Sequence, residues 1–189
     1  MVSEGPSVEL CFSDSGFKLF YLVTLGADCI TTTMTVVNTA AAPLEFTGAL
    51  HTYFRVSNAV GSKVVGLQGA SYEDNSEAGG GAICKQDDVQ IQVTGDELDR
   101  VYLDTPEDAF IVDGERAIKV SKQGFADAVV WNIGEAKSVD LKDMGEGEWQ
   151  QYVCFEAASV GKTVEVPTKA MWVGSQTFTR VKAADVPGA

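Results

Sequence analysis

Short runs of alternating apolar and polar residues, separated by turn-forming residues, recur along almost the whole chain. Alternation puts apolar side chains on one face of a strand and polar ones on the other, so it indicates half-buried strands. The runs are 17–25, 29–38, 44–56, 87–95, 108–112, 116–121, 127–132, 151–158, 162–166 and 171–179. About ten strands joined by short turns predict an all-β fold, an antiparallel sandwich or barrel.

The segments between these runs carry the usual turn residues. Asp113-Gly114 lies between two apolar runs and predicts a tight hairpin. The glycines at 79–81 lack the lysine and the strand–loop–helix setting of a nucleotide-binding loop, so they predict a flexible turn. Only 135–144 could form a helical turn. We expect a single sandwich domain over residues 1–182, followed by a frayed C-terminal tail at 183–189.

The charge balance excludes several classes of partner. The chain has 14 basic and 27 acidic residues, a formal charge of −13, with no basic cluster, so nucleic acid and anionic membranes would repel it. No apolar run approaches the roughly 20 residues of a membrane-spanning helix, and 1–6 lack signal-peptide features. One histidine and four scattered cysteines argue against structural zinc. These features predict a cytoplasmic protein without nucleic-acid or membrane partners.

The run at 44–56 contains the only histidine. Strand alternation puts His51, Tyr53 and Arg55 on one face, with Phe54 and Val56 on the other. An imidazole, a phenol and a guanidinium in line form a polar surface that is costly to bury without partners. A solvated outer face with a lone histidine and a functional surface both fit this pattern.

Two acidic residues are further candidates. Glu156 is the only charged residue between Val153 and Ala158, and apolar neighbours raise a carboxyl pKa towards the range useful for proton transfer. An ordinary strand glutamate that reaches water is the alternative. Asp99 precedes Arg100, which by itself suggests only a weak surface ion pair.

Several segments, in this order, resemble the hexose-6-phosphate mutarotases (glucose-6-phosphate 1-epimerases) of the aldose 1-epimerase family. The segments are LEFTGALHTYFRVSN at 44–58, VVGLQGASYEDN at 64–75, DELDRVYLD at 96–104, VVWN at 129–132, KDMGEGEWQQYVCFEAA at 142–158 and GSQTFT at 174–179. The resemblance covers nearly the whole chain and preserves the spacing between segments. It implies a large antiparallel β-sandwich of the galactose mutarotase-like type, with a sugar site on the concave face of one sheet.

The resemblance also implies a reaction and its residues. His51 and Glu156 match the family's catalytic histidine and glutamate, and Asp99 resembles its substrate-binding aspartate. The pair would interconvert the α and β anomers of glucose 6-phosphate by acid–base opening and closure of the ring, without a metal or an organic cofactor. The expected partner is therefore a small sugar phosphate, whereas the sequence indicates no oligomeric state.

Family members are longer, and by this resemblance the part not represented here lies at the N-terminus. That part contains the arginines and the glutamine with which relatives bind the sugar phosphate. Two alternatives to the mutarotase therefore stay open. One is a non-catalytic carbohydrate-binding sandwich that lacks the first strands. The other is a glycoside hydrolase with Asp99 and Glu156 as paired carboxylates, a chemistry in which His51 has no role.

Overall fold

The computed structural model describes residues 5–189, which form two antiparallel sheets packed face to face. The strands are β1 (Ser7–Asp14), β2 (Phe17–Leu25), β3 (Cys29–Asn38), β4 (Leu44–Leu50), β5 (Tyr53–Arg55), β6 (Lys63–Val65), β7 (Ser71–Asp74), β8 (Ala82–Lys85), β9 (Gln90–Gln92), β10 (Leu98–Leu103), β11 (Asp108–Asp113), β12 (Arg116–Gln123), β13 (Asp127–Asn132), β14 (Tyr152–Val166) and β15 (Met171–Lys182). One short helix, α1 (Gly134–Ser138), and two 3₁₀ turns (Glu148–Gln151 and Ala183–Asp185) complete the described elements.

The first sheet has eight strands in the order β1-β2-β3-β15-β12-β11-β6-β9. The second has seven, in the order β4-β14-β13-β10-β7-β8, with β5 also pairing with β14. Every pairing between these strands is antiparallel. The predicted all-β antiparallel sandwich is confirmed, and so is the Asp113-Gly114 hairpin, which joins β11 to β12.

The core lies between the two sheets. Val120 and Ile111 enter it from the eight-stranded sheet, and Val130, Val153 and Phe155 enter it from the seven-stranded sheet. Each is at most 2 % exposed, and burying a side chain of this size stabilises the fold by about 1.5–3 kcal/mol. The core therefore fixes which face of each sheet points outward.

Several predicted strand boundaries differ from those in the structure. The runs 151–158 and 162–166 form one strand, β14, with a register shift between Ser159 and Val164. The Gly161 turn residue does not end the strand, because Asp127 Oδ2 accepts hydrogen bonds from the Val160 and Gly161 N–H groups at 2.9 and 2.8 Å. A buried carboxylate thus satisfies the donors that the irregularity frees from the sheet.

Five strands were not predicted, and other elements were predicted too long. β1, β6, β7, β8 and β10 are the unpredicted strands. β6, β7 and β8 have only three or four residues, too few for a period to show. The predicted run 44–56 forms two strands, β4 and β5. The observed strand β9 is shorter than the predicted run 87–95, and the observed helix α1 is shorter than the helical turn predicted at 135–144.

Most of residues 183–189, the predicted C-terminal tail, are exposed, but Val186 is buried. Val186 is 6 % exposed and contacts a cluster containing Val65, Val112 and Ala117. Gln90 Nε2 also donates a hydrogen bond to the Gly188 carbonyl at 2.9 Å. These contacts anchor the tail on the outer face of the eight-stranded sheet.

Within residues 5–189, we find no helix that has both the length and the apolar character needed to cross a membrane.

Candidate active site

The outer face of the seven-stranded sheet carries the candidate residues. Along β14, Val153 and Phe155 belong to the core, while Cys154 belongs to a separate cluster on the opposite face. Glu156 shares that opposite face because side chains alternate along a strand. The alternation predicted for this segment is therefore confirmed.

His51 and Glu156 meet on this face although 105 residues separate them in the chain. Leu50, the last residue of β4, pairs with Ala157 of the antiparallel strand β14, so His51, which follows Leu50, lies beside Glu156, which precedes Ala157. His51 Nδ1 is 3.3 Å from Glu156 Oε1. The His51 side chain is 48 % exposed and that of Glu156 only 8 %, so an accessible imidazole contacts a buried carboxyl group.

Burial, together with the smaller effect of the negative charge of Asp99, raises the pKa of Glu156 to about 7. A carboxyl group with this pKa is present in both protonation states near neutral pH. It can therefore both accept and donate a proton there, which acid–base catalysis requires.

Asp99 lies on the same face, two strands away from Glu156. In the sheet register it is opposite Trp131 of β13, which is itself opposite Cys154 of β14. Burial raises the pKa of Asp99, as do the charges of Glu97 and Asp74, while Lys137 opposes them.

Arg100, the neighbour of Asp99, points the other way. Its Nε is 3.7 Å from Asp74 Oδ2, and its guanidinium carbon is 4.6 Å from the centre of the Tyr72 ring. The surface ion pair suggested by the Asp99-Arg100 sequence does not form, because adjacent strand residues face opposite sides of the sheet.

Two aromatic side chains contact the imidazole, and a third packs against those two. The Tyr53 ring stacks on His51 with centres 4.9 Å apart and an interplanar angle of 3°, and Trp131 meets both rings edge-on. Tyr152 packs against Tyr53 and Trp131, and burial raises its pKa to about 12. Alternation predicted Tyr53 on the face of His51 and Tyr152 on the face of Glu156, but no pattern in the sequence indicated that Trp131 would join them.

Asn132 positions the loop that follows Trp131. Its side chain donates hydrogen bonds to the carbonyls of Trp149 and Tyr152 at 2.9 and 2.8 Å, and it accepts one from the Gly134 N–H at 2.9 Å. Gly134 has φ +72°, and a Cβ there would lie 2.6 Å from the Glu97 backbone nitrogen. Asn132 is fully buried, so these bonds connect β13 to the loop that supports the aromatic side chains.

Residues 5–189 contain no group of three or more His, Cys, Asp or Glu side chains that could hold a metal ion.

The fold and the sequence define the class of protein: the chain belongs to the aldose 1-epimerase family, whose pattern it matches over residues 14–178. Within that family it is 33 % identical over 153 residues to a protein of Cenchrus ciliaris named "Putative glucose-6-phosphate 1-epimerase". An Escherichia coli K12 protein with the same name is 34 % identical over 125 residues. The resemblance noted in the sequence is thus confirmed.

A solved structure has the same fold. The crystal structure of "a putative mutarotase" from Salmonella typhimurium superposes with a TM-score of 0.81 at 24 % identity, covering 93 % of this chain and 60 % of the other. The matched regions cover 80 % of this chain and 46 % of the Cenchrus ciliaris protein, and 65 % of this chain and 41 % of the Escherichia coli protein. The chain therefore spans less than half the length of these curated relatives.

Proposed function

We propose that this chain is a hexose-6-phosphate mutarotase that interconverts the α and β anomers of glucose 6-phosphate. The observation that carries the proposal is the contact between an accessible His51 and a buried Glu156 whose pKa lies near 7. Membership of the aldose 1-epimerase family and the names of the two curated relatives support the reaction and the substrate.

In this mechanism Glu156 is the base and His51 the acid. The Glu156 carboxylate takes the proton from the C1 hydroxyl, and the protonated His51 imidazole gives a proton to the ring oxygen. The bond between C1 and the ring oxygen breaks, which leaves an open-chain aldehyde. Rotation about the C1–C2 bond followed by closure, with the two roles reversed, gives the other anomer. Each positioned acid or base contributes a rate factor of about 10² to 10⁴.

The neighbouring residues would orient the sugar. Asp99 lies on the same face as the catalytic pair and can accept hydrogen bonds from sugar hydroxyls. The rings of Tyr53 and Trp131 offer an apolar surface to the C–H face of a pyranose. Holding the ring against these groups places C1 beside both His51 and Glu156, and such positioning is itself a large part of catalysis.

The anomerisation of α-glucose 6-phosphate, followed by polarimetry, tests the proposal. We expect His51→Ala and Glu156→Gln each to lower kcat by about 10² to 10⁴. The matched control is Glu165→Gln, an exposed glutamate on the same strand, which should keep the wild-type rate. The wild-type rate should also fall as the pH drops below 7, because Glu156 is then protonated and cannot act as the base.

Either of two results would contradict this proposal and support a different function. A wild-type rate equal to the uncatalysed rate, together with retained binding of glucose 6-phosphate, would indicate a carbohydrate-binding sandwich. Release of free sugar from a glycoside that depends on Asp99 and Glu156 would indicate a hydrolase. Fractionation of cells tests the cytoplasmic location, which stays a prediction from the sequence.

A further inference from the structure

Three of the four arginines of the chain line one cleft away from the His51–Glu156 pair. They are Arg55 of β5, Arg116 of β12 and Arg180 of β15, and the cleft has a volume of about 280 Å³. Three elements that are distant in the sequence thus each contribute an arginine to the lining of one cleft. This clustering is unexpected in a chain with a net charge of −13.

The register of the eight-stranded sheet explains how two of the arginines meet. Ile118 pairs with Arg180, and Arg116 pairs with Lys182, so these side chains share the face of the sheet that also carries Val120 of the core. Arg116 and Arg180 are both exposed to solvent. The cleft therefore combines cationic groups with an apolar wall that includes Ile118.

Only one of the three guanidinium groups has a carboxylate partner among residues 5–189. Arg116 Nη2 donates hydrogen bonds to Asp113 Oδ2 at 2.8 Å and to Ser57 Oγ at 2.7 Å, which fixes its orientation. Arg55 and Arg180 form no ion pair and no side-chain hydrogen bond with the described residues. The cleft is thus a local site of positive charge on an acidic protein.

We propose that this cleft binds a small dianion of the phosphate type, either inorganic phosphate or the phosphate group of a phosphate ester. Guanidinium groups present planar pairs of N–H donors that match phosphate oxygens two at a time. Two unpaired guanidinium groups beside a third that Asp113 orients can surround one tetrahedral anion. The apolar wall can contact the organic part of an ester, and the volume of about 280 Å³ restricts the ligand to a small one.

This inference does not depend on the proposed mutarotase activity. It uses none of His51, Asp99 or Glu156, and it is tested by binding alone. Arg55 lies on the same strand as Tyr53 but opposite Tyr152, two pairs further from Glu156 than the Tyr53–Cys154 pair.

Titration of inorganic phosphate into the full chain, followed by calorimetry at low ionic strength, tests the proposal. We expect saturable binding to the wild type, and at least a tenfold increase in Kd for Arg55→Gln and for Arg180→Gln. Lys18→Gln removes one positive charge from an exposed position on β2 and should leave the Kd unchanged. His51→Ala should also leave it unchanged. Because both arginines are exposed, their substitution should not unfold the protein, which a thermal melt checks.

A competition experiment shows whether the cleft binds inorganic phosphate alone or also the phosphate group of an ester. Glucose 6-phosphate should displace inorganic phosphate from the wild type if a phosphate ester fits the cleft, whereas glucose should not compete. Absence of saturable phosphate binding would overturn the proposal. An equal loss of affinity in Lys18→Gln and Arg180→Gln would overturn it too, because binding would then follow the net charge rather than the cleft.

Discussion

Glu156 shows how the environment of one residue decides its chemistry. From the sequence alone, Glu156 could be an ordinary strand glutamate that reaches water. In the structure its side chain contacts His51 and is almost completely buried, and its pKa is raised to about 7. Burial removes water from the carboxylate, and Asp99 adds repulsion, so both effects favour the protonated form. The folded protein therefore bears the free-energy cost of ionising this group at neutral pH.

This cost predicts an effect on stability that is separate from activity. Because the folded-state pKa of Glu156 is raised, its stabilising contribution is present at low pH and is lost as the pH rises from about 4.5 through 7. The Glu156→Gln variant does not ionise there. Relative to the wild type, its free energy of unfolding should increase by roughly 2–3 kcal/mol between pH 5 and pH 8.

Urea denaturation at several pH values measures this difference. The exposed Glu165→Gln substitution on the same strand is the control and should show no such trend. A constant difference between Glu156→Gln and the wild type over this range would mean that the pKa of Glu156 is not raised.

At the scale of elements, β14 connects the site to the rest of the fold. It pairs with β13 on one side and with both β4 and β5 on the other, so it supplies Glu156 and also receives the strands that flank His51. Its register shift near Gly161 depends on Asp127, which accepts hydrogen bonds from three backbone N–H groups, those of Asp104, Val160 and Gly161.

Loss of the Asp127 carboxylate should be costly. In Asp127→Ala the three N–H groups lose their partner, and we expect the free energy of unfolding to fall by about 2–4 kcal/mol. Chemical denaturation measures the loss. The control is Lys162→Ala, which removes only an exposed ion pair with Asp104 and should cost less than about 1 kcal/mol. Equal effects of the two substitutions would show that Asp127 does not support the strand.

Strand boundaries show what could be predicted for the elements and what could not. β2, β3 and β13 have the predicted bounds, because each is a run of strand-forming residues that ends at turn residues or a charge. β10 was not predicted as a strand because Asp99 and Arg100 interrupt its apolar pattern. In the sandwich, Asp99 points to the outer face and Arg100 pairs with Asp74 at the sheet margin, so the charges are accommodated.

At the scale of the whole molecule, β1 forms one edge of the eight-stranded sheet. β1 pairs only with β2 among the described strands, and its side chains are all exposed. Val8, Leu10 and Phe12 are 64 %, 63 % and 56 % exposed and form one apolar stripe. An edge with free backbone groups and apolar side chains favours pairing with the same edge of a second copy.

We expect the chain to self-associate through this edge. The Leu10→Lys substitution places a charge in the middle of the stripe and should shift the protein towards the monomer. Sedimentation velocity at increasing protein concentration measures the shift. The control is Val139→Lys, which changes an 80 % exposed valine outside the sheets and should leave self-association unaltered. A wild type that stays monomeric at all concentrations would contradict this expectation.

The sequence by itself determined the strand-rich architecture and the faces on which His51 and Glu156 lie, because alternation is a property of neighbours along the chain. The order and spacing of six sequence segments also gave the resemblance to its family. Only the tertiary structure decided which faces meet: the pairing of Leu50 with Ala157 brings His51 to Glu156. The packing of Trp131 and Tyr152 and the convergence of three arginines likewise depend on sheet register. Alternation within a segment gives the face of each side chain, but it does not specify which distant strands become neighbours in the sheet.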